Sequence, residues 1–413
     1  MKRERMKSFW LVMAAAALAS LDAFAQPAAA QTRFPLMAWD YAEDQATFEA
    51  MRDCGITSVA FVPIKALDLC QQCELQAIVF DERLSGARYH GPFDGDAVTQ
   101  NLPAILKEVG DHPAVLGYHL RDEPSAEQYP ELAKGIAAVH KLAPGKWAYV
   151  NLLPGEGQAY DKYLEDFVAV CKPTVLSYDR YTTVGKDEFL PVFWTNLAQM
   201  RDVALKHKLP FWNVVLTATH WQYRELTEAD LRMEVFGSLV YGVQGIGYYK
   251  FMSGSLPILE APDLGNFRNA PLDQFGEKTL AWQWLRNINR QVHNLAPMLL
   301  KLDSNDVYHI GGTVPDRNHG PGEASLVKHI PEGEFVVGDF THRDTGKRYV
   351  MIANRSMVNS QRCAPEFRTP PGEVKYVSPV TGKVVPYVAW AYFLAPGQGV
   401  LLELESDEKV ASR

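Results

Sequence analysis

The sequence has no excess of positive charge, and this limits the partners it can bind. Its 413 residues include 41 Lys and Arg against 49 Asp and Glu, a formal net charge of −8. Affinity for nucleic acid comes mainly from basic side chains that neutralise phosphates, so we expect no nucleic-acid partner. A glycine-rich turn after the first strand-like run and basic clusters at helix starts are also missing, which argues against a dinucleotide or phosphate site.

Cysteine is scarce, with five residues in the whole chain. Cys70 and Cys73 form a C-x-x-C pair, but neither a second such pair nor paired histidines accompany it, so no zinc site is predicted. We favour a local disulfide between Cys70 and Cys73, with buried thiols elsewhere. No cofactor is predicted.

The first 25 residues have the pattern of a signal peptide. Four basic residues lie between Lys2 and Lys7, a short apolar run covers Phe9–Ala19, and Ala23–Ala25 supplies a small-x-small cleavage pattern. The apolar run is too short to span a bilayer comfortably. We predict a secreted or periplasmic protein without membrane insertion after cleavage. The mature chain would carry 37 basic and 47 acidic residues, a net charge of −10.

Strand-like and helical segments alternate over residues 31–301. Eight apolar runs, each followed by a helical pattern, predict an α/β fold, the parallel (β/α)8 TIM barrel. The predicted strands are Phe34–Trp39, Ser58–Val62, Leu75–Phe80, Val115–Leu120, Trp147–Leu152, Thr174–Tyr178, Phe211–Leu216 and Ile246–Phe251. A doubly wound open sheet is the rival fold, but its glycine fingerprint is missing.

The pattern changes after the predicted barrel. Short alternating runs separated by turn signals predict a small C-terminal antiparallel β-sandwich over residues 302–405. Residues 406–413 are polar and are predicted to form a tail.

Polar and aromatic residues stand at the carboxyl ends of most predicted strands. In a parallel barrel these ends share one face, where active sites are built. Strand four ends in Asp122 and Glu123, since Pro124 cannot continue the ladder, and strand six ends near Asp179. We predict Glu123, Asp179 and Asp122 to be catalytic. The other side chains predicted to bind substrate are Trp39, Asp40, Tyr118, Asn151, Tyr181, Trp212, Asn213, His220, Trp221, Tyr249 and Lys250.

This mixture of carboxylates, amides and rings suits an oligo- or polysaccharide. Sugar C–H faces stack on aromatic rings, and sugar hydroxyls need polar partners. Glycosidic cleavage needs two carboxyl groups, one of them protonated. Two alternatives stay open: Asp122 and Glu123 as a solvated turn that opens a helix, and a metal-assisted hydrolase that uses His119, His220 and acidic strand ends.

Two segments resemble clan A glycoside hydrolases. Arg121–Pro124, Arg-Asp-Glu-Pro, resembles the Asn-Glu-Pro end of strand four in that clan. Arg232–Phe251 resembles the helix-seven to strand-eight segment of family-42-type β-galactosidases. The resemblance implies a barrel followed by a sandwich, with Glu123 as general acid/base. It implies that Asp122 takes the place of an asparagine that holds a sugar hydroxyl.

Strand seven departs from that family pattern. The resemblance implies a nucleophilic glutamate at the end of this strand, but residues 213–220 contain no acidic side chain, and Glu225 comes late. We predict Asp179 as the second carboxylate, since an aspartate has a shorter reach and favours inversion over retention. Pairing of Asp179 with Arg180 or Arg121 is the structural alternative. The alternative function is a non-catalytic carbohydrate-binding relative.

Overall fold

The structure is a computed structural model that describes residues 33–84, 91–181, 183–184, 191–254 and 265–405. The predicted signal peptide and the predicted tail lie outside these ranges.

Eight parallel strands form the wall of the barrel. They are β1 (Leu36–Tyr41), β2 (Ser58–Val62), β3 (Gln76–Val79), β4 (Val115–Asp122), β5 (Trp147–Asn151), β6 (Leu176–Asp179), β7 (Phe211–Leu216) and β8 (Gly245–Tyr249). Their order is β5-β4-β3-β2-β1-β8-β7-β6. The backbone N–H of Leu152 donates to the carbonyl of Ser177 at 2.7 Å, and a parallel bridge joins Leu152 to Tyr178. These two contacts close the barrel between β5 and β6.

A helix follows every strand of the barrel. The helices are α1 (Gln45–Asp53), α2 (Leu67–Gln72), α3 (Gly95–Val109), α4 (Tyr129–Leu142), α5 (Gly157–Cys171), α6 (Val192–His207), α7 (Glu228–Val240) and α8 (Leu280–Leu299). None of the helices in the described ranges combines the length and the apolar character needed to cross a membrane.

Large rings fill the interior of the barrel. Trp39 of β1 lies 5.6 Å from Tyr149 of β5, centroid to centroid, although three strands stand between β1 and β5 in the sheet order, so both rings face inward. Trp147 and Trp212 meet edge to face at 5.0 Å. A Cβ atom at Gly245 would lie 2.2 Å from the Trp212 ring, so glycine is required there. The interior is therefore a packed core, as in other barrels of this type.

Antiparallel strands follow the barrel. They are β9 (Leu302–Ile310), β10 (Val327–His329), β11 (Phe335–His342), β12 (Arg348–Asn354), β13 (Gln361–Arg362), β14 (Glu366–Phe367), β15 (Glu373–Val377), β16 (Val384–Pro386), β17 (Phe393–Leu394) and β18 (Gly399–Glu405). Six form one sheet in the order β16-β15-β18-β12-β11-β9, while β10 pairs with β14 and β13 with β17. Tyr308 and Phe335 of the sheet share a buried cluster with Val327 and Leu394 of the two ribbons. A barrel followed by an antiparallel β-sandwich confirms the predicted fold class.

Helix α7 lies between the barrel and the six-stranded sheet, and it is buried on all sides. Its Phe236 and Val240 share one core cluster with Phe340 and Met351 of the sheet. A capping box starts the helix, because the Thr227 and Asp230 side chains each accept the other's backbone N–H. The sandwich thus fixes the helix that leads into β8.

All five cysteines are buried free thiols in the structure, so the disulfide predicted between Cys70 and Cys73 is wrong. Cys70 lies within α2, and its thiol donates to the carbonyl of Leu75 at 3.5 Å. Cys73 is the residue that ends α2. Each thiol is enclosed by local packing, and burial raises the pKa of the Cys70 thiol to about 12.

Candidate active site

Glu123 follows β4 directly and adopts an unusual backbone conformation. Its φ is +45°, in the left-handed region that favours glycine. The conformation is supported by the neighbouring strand, since the Glu123 N–H donates to the carbonyl of Asn151 at 2.8 Å. Strained non-glycine residues cluster at functional sites. The strand end therefore presents Glu123 at a backbone cost, and its side chain is exposed.

The surroundings of Glu123 favour its protonated form. Burial of the carboxyl group in its concave surroundings, and then the charge of Asp122, raise the pKa of Glu123 to about 7. Water still reaches the side chain, which softens the effect of burial. No hydrogen bond to the Glu123 carboxyl group comes from the described residues. Glu123 can therefore hold a proton near neutral pH and release it.

Asp179 ends β6 and is the second carboxyl group of the site. It is nearly buried, and Asn151 Nδ2 donates to its Oδ1 at 2.7 Å. Burial raises the pKa of Asp179 well above its usual value, and the charges of Glu123 and Asp122 add to the rise. The charge of Glu123 therefore disfavours ionisation of Asp179, so the two carboxyl groups interact electrostatically.

The structural alternative for Asp179 was an ion pair with an arginine. Arg180 instead pairs with Glu156 at 2.7 Å, and the guanidinium of Arg121 donates to the carbonyl of Gly91. Within the described ranges, Asp179 lies in no ion pair, and its nearest donor is an amide. Its carboxylate is therefore not neutralised by a direct cation contact.

Asn151 ends β5 and contacts two of the acidic side chains. Besides its bond to Asp179, its Nδ2 donates to Asp122 Oδ1 at a longer 3.4 Å. Its Oδ1 accepts from Ser177 Oγ at 2.9 Å, and Ser177 Oγ lies 2.6 Å from the hydroxyl of Tyr149. The structure thus brings Asp122, Glu123, Asn151 and Asp179 together at the ends of neighbouring strands.

A run of aromatic rings leads away from the carboxyl groups. The negative charges of Asp179, Asp122 and Glu123 add to the burial that raises the pKa of Tyr181. The Tyr181 ring stacks on that of Tyr249 at 5.5 Å and meets His220 edge to face at 6.1 Å.

His220 continues this run of rings toward Trp221. It stacks on Phe267 at 4.6 Å and lies 5.2 Å from Trp221. Burial lowers the pKa of His220, which favours the neutral ring, while the bond that its Nδ1 donates to the carbonyl of Ala218 at 3.1 Å acts in the opposite direction.

Trp221 stands at the outer end of this run. Its side chain is 64% exposed. Its φ of +42° is again in the left-handed region, and its N–H donates to the carbonyl of Gly265 at 2.9 Å. An indole ring held in the open by a strained backbone is available for stacking against a ligand.

Asp40 and Lys250 lie at the neighbouring ends of β1 and β8. The two oxygens of Asp40 accept the N–H groups of Tyr41 and Met252, at 3.0 and 2.8 Å. Lys250 Nζ lies 3.7 Å from Asp40 Oδ1 and 5.1 Å from the centre of the Phe267 ring. Asp40 therefore supports Lys250, and Lys250 is the more accessible of the two.

Four of the predicted substrate-binding residues lie in the protein core. Tyr118 and Asn213 are buried on the helix side of the barrel wall, where Asn213 donates to Ser238 of α7 at 2.9 Å. Trp212 is fully buried inside the barrel, and Trp39 is 5% exposed there. Their enclosure leaves them no surface for a substrate, so the structure gives these four side chains a packing role.

The end of β7 carries no acidic side chain that reaches the cleft. Glu225, the late candidate, is held by Arg268 at 2.7 Å and also accepts from Thr219. Glu234 of α7 accepts the N–H of Leu216 at 3.0 Å, but it is fully buried behind the strand. Glu225 is thus engaged by Arg268, and Glu234 has no exposed surface.

Sequence reasoning missed two members of the site. Ser177 lies two residues before Asp179 on β6, so strand alternation could have placed both on one face. Phe267 lies beyond the eighth strand, where no sequence pattern predicted a ring. No group of three or more His, Cys, Asp or Glu side chains suited to a metal ion occurs among the residues that the structure describes.

Comparisons with known proteins point to the same kind of fold. No family model and no curated protein matches the sequence. A β-galactosidase from the psychrophilic Marinomonas ef1 is similar at a TM-score of 0.51 and 10% identity, over 65% of this chain and 62% of that chain. A glucosidase from Croceicoccus marinus aligns at 0.48 and 10% identity, over 91% and 96%. A β-glucuronidase from Lactobacillus rhamnosus aligns at 0.48 and 13% identity, over 63% and 50%.

The names of all three neighbours are those of glycoside hydrolases. This chain spans less than two thirds of the length of the β-galactosidase. At an identity of 10%, the likeness to that enzyme shows a shared fold.

Proposed function

We propose that the protein is a glycoside hydrolase that cleaves an oligo- or polysaccharide with Glu123 as general acid. The observation that carries this proposal is a carboxyl group with a pKa of about 7 at a barrel strand end, coupled to the carboxyl group of Asp179. A glycosidase needs one protonated and one ionised carboxyl group beside the bond. Chemistry of this kind needs no cofactor.

The proposed reaction uses the two carboxyl groups on opposite sides of the bond. Glu123 gives its proton to the glycosidic oxygen as the bond to the anomeric carbon breaks. Asp179 takes a proton from the water that attacks that carbon. The leaving sugar then carries the proton from Glu123, the new hydroxyl carries the water oxygen, and both carboxyl groups return to their starting state by exchange with solvent.

The run of rings from Tyr181 to Trp221 would bind the sugar chain. Sugar C–H faces stack on such rings, and Asp122 and Lys250 supply polar partners beside them. We further propose that residues 1–25 direct the chain out of the cytoplasm and are removed, and that the protein is secreted or periplasmic. A polymer substrate outside the cell would suit this location.

A panel of chromogenic glycosides tests the proposal. Glu123→Gln should lower turnover by roughly 10²–10⁴-fold on substrates with poor leaving groups, and far less on activated aryl glycosides, which need little protonation. Glu127→Gln is the matched control, because Glu127 lies on the exposed turn four residues later. Equal losses on both substrate types would contradict the role of Glu123 as acid.

A carbohydrate-binding protein without activity is the second candidate, and the lack of an acidic residue on β7 favours it. Wild-type protein that binds oligosaccharides by calorimetry, but turns over no glycoside in the panel, would establish this candidate. Loss of turnover in a chelator would instead indicate a metal-assisted hydrolase.

A further inference from the structure

The amide of Asn151 has a fixed direction. Its Nδ2 faces Asp179 at 2.7 Å and Asp122 at 3.4 Å, while its Oδ1 faces Ser177 Oγ at 2.9 Å. The hydroxyl of Tyr149 lies 2.6 Å from Ser177 Oγ. A consistent set of donors runs one way: Tyr149 donates to Ser177, Ser177 donates to Asn151, and Asn151 donates to Asp179. Asn151, Ser177 and Tyr149 are all at most 2% exposed.

Reversal of the amide would break this set. The Oδ1 of Asn151 would then face the Asp179 carboxyl group, and two acceptors would meet unless Asp179 were protonated. The direction of the amide is therefore linked to the charge of Asp179. A donated hydrogen bond is stronger when its acceptor is ionised.

Glu123 has no comparable partner. Among the described residues no group donates to its carboxyl group, whereas Asp179 receives the bond from Asn151. Burial and mutual repulsion keep the two groups from ionising together, so the pair retains a proton. Burial favours the proton on Asp179, and the bond from Asn151 opposes this by stabilising the ionised form of Asp179.

We propose that Asn151 is a positioning residue that favours the ionised form of Asp179 and so shifts the shared proton of the pair toward Glu123. The proposal rests on the proposed function, in which Glu123 is the acid and Asp179 the base. Asn151 acts through the carboxyl groups and needs no contact with the reacting atoms. The Tyr149–Ser177 pair acts one step further away, because it holds the amide in the required direction.

The other ionisable groups around Asp179 do not take up the shared proton. Asp122 adds negative charge from β4, and Arg180 adds positive charge from the next position in the chain. The remaining groups are tyrosines whose pKa is raised by burial, so they stay neutral in the working range: Tyr149, Tyr160, Tyr163, Tyr178, Tyr181, Tyr223 and Tyr249.

The pH dependence of turnover tests the proposal. In Asn151→Ala the base Asp179 should keep its proton to higher pH, so the acid limb of kcat should move up by about one to two pH units. The plateau should fall by roughly 10- to 100-fold. Asn289→Ala is the matched control. Asn289 of α8 is also fully buried, and its amide accepts from the hydroxyl of Tyr248 and donates to the carbonyl of Cys54. The acid limb of the kcat pH profile of Asn289→Ala should not move.

Ser177→Ala keeps the amide and removes only the group that fixes its direction. It should move the acid limb the same way by a smaller amount, and it serves if Asn151→Ala does not fold. An unmoved limb in both variants, with thermal stability lowered as in Asn289→Ala, would overturn the proposal and leave Asn151 a structural role.

A second measurement does not need turnover. Carbon-13 NMR of carboxyl-labelled aspartate and glutamate, with Asp179→Asn and Glu123→Gln used for assignment, reports each protonation directly. Asn151→Ala should move the proton from Glu123 toward Asp179. If the wild type turns over no glycoside but the proton moves, the proposed function fails and the role of Asn151 stands. If turnover is found but the proton does not move, the reverse holds.

Discussion

The raised pKa of Glu123 makes a prediction about stability that is independent of any substrate. Replacement of Glu123 by Gln keeps the shape of the side chain and removes its ionisation. The pKa rises from 4.5 to about 7 in the folded protein, a difference that corresponds to about 3.4 kcal/mol in full. Because the side chain is exposed and water screens it, we expect about 1–2 kcal/mol.

The sign follows from proton binding. The folded protein holds the Glu123 proton to higher pH than the unfolded chain does. Between pH 4.5 and about 7 the folded state therefore binds more protons, and its stability falls as the pH rises through this window. Glutamine cannot ionise, so Glu123→Gln escapes this loss. The variant should gain about 1–2 kcal/mol over the wild type between pH 5 and pH 8.

Urea unfolding at pH 5 and pH 8 measures this difference, with linear extrapolation of each curve to water. Glu127→Gln is again the control, since the pKa of Glu127 is lowered by its bond to Ser125, and its variant should gain nothing at high pH. If the free energies of the wild type and Glu123→Gln change in parallel with pH, Glu123 does not hold a proton near neutrality. The acid assignment would then lose its basis.

Four further predictions concern other parts of the chain. Trp221→Ala should weaken oligosaccharide binding by about 1–3 kcal/mol in calorimetry with little change in thermal stability. Trp39→Ala should instead destabilise the fold by about 3–5 kcal/mol, since Trp39 fills the barrel. Thr227→Ala removes the capping box of α7 and should cost about 1 kcal/mol in urea unfolding with KM unchanged. A thiol reagent should titrate all five cysteines only after denaturation, because each is buried and free.

The fold could be predicted because its signals are local. Each barrel strand is an apolar run of a few residues bounded by turn signals, and parallel strands require helices between them. The predicted bounds of β2 and β7 match those of the structure. The end of β4 could be predicted for the same reason, since Pro124 stops the ladder and leaves Asp122 and Glu123 at the edge.

The direction of individual side chains was harder to predict, for a physical reason. Strands of a barrel are buried on both faces, so inward and outward positions look alike in sequence. Asn213 and Tyr118 were predicted to bind substrate, yet both point toward the helices. Their immediate neighbours Trp212 and His119 face the barrel interior instead. A shift of one residue reverses the face.

Contacts between distant segments also escaped prediction. Glu225 is captured by Arg268, which lies 43 residues further along the chain. Phe267 meets His220 across a similar separation. Local pattern carries no information on such pairs, which form only when the strands close into a barrel. The sequence could therefore predict that aromatic rings line one side of the cleft, but it could identify only some of those rings.

The stereochemistry of the product is the most demanding prediction. A retaining mechanism needs a carboxyl group that attacks the sugar directly, but β7 carries none, Glu225 is held by Arg268, and Glu234 is buried behind the strand. Asp179 remains as the partner of Glu123, and its side chain, one methylene shorter than that of a glutamate, accepts from Asn151 at 2.7 Å. We therefore expect Asp179 to activate water, so that the first product has the anomeric configuration opposite to that of the substrate.

Proton NMR during early turnover would show this configuration before mutarotation obscures it. A product of retained configuration would refute the assignment. So would rescue of Asp179→Gly by azide with a retained adduct, because retention requires that a covalent glycosyl-enzyme forms on another carboxyl group before azide attacks. Rescue that gives an inverted azide adduct would show a single displacement from the side of Asp179, and the configuration of the wild-type product then decides whether Asp179 activates water or attacks the sugar.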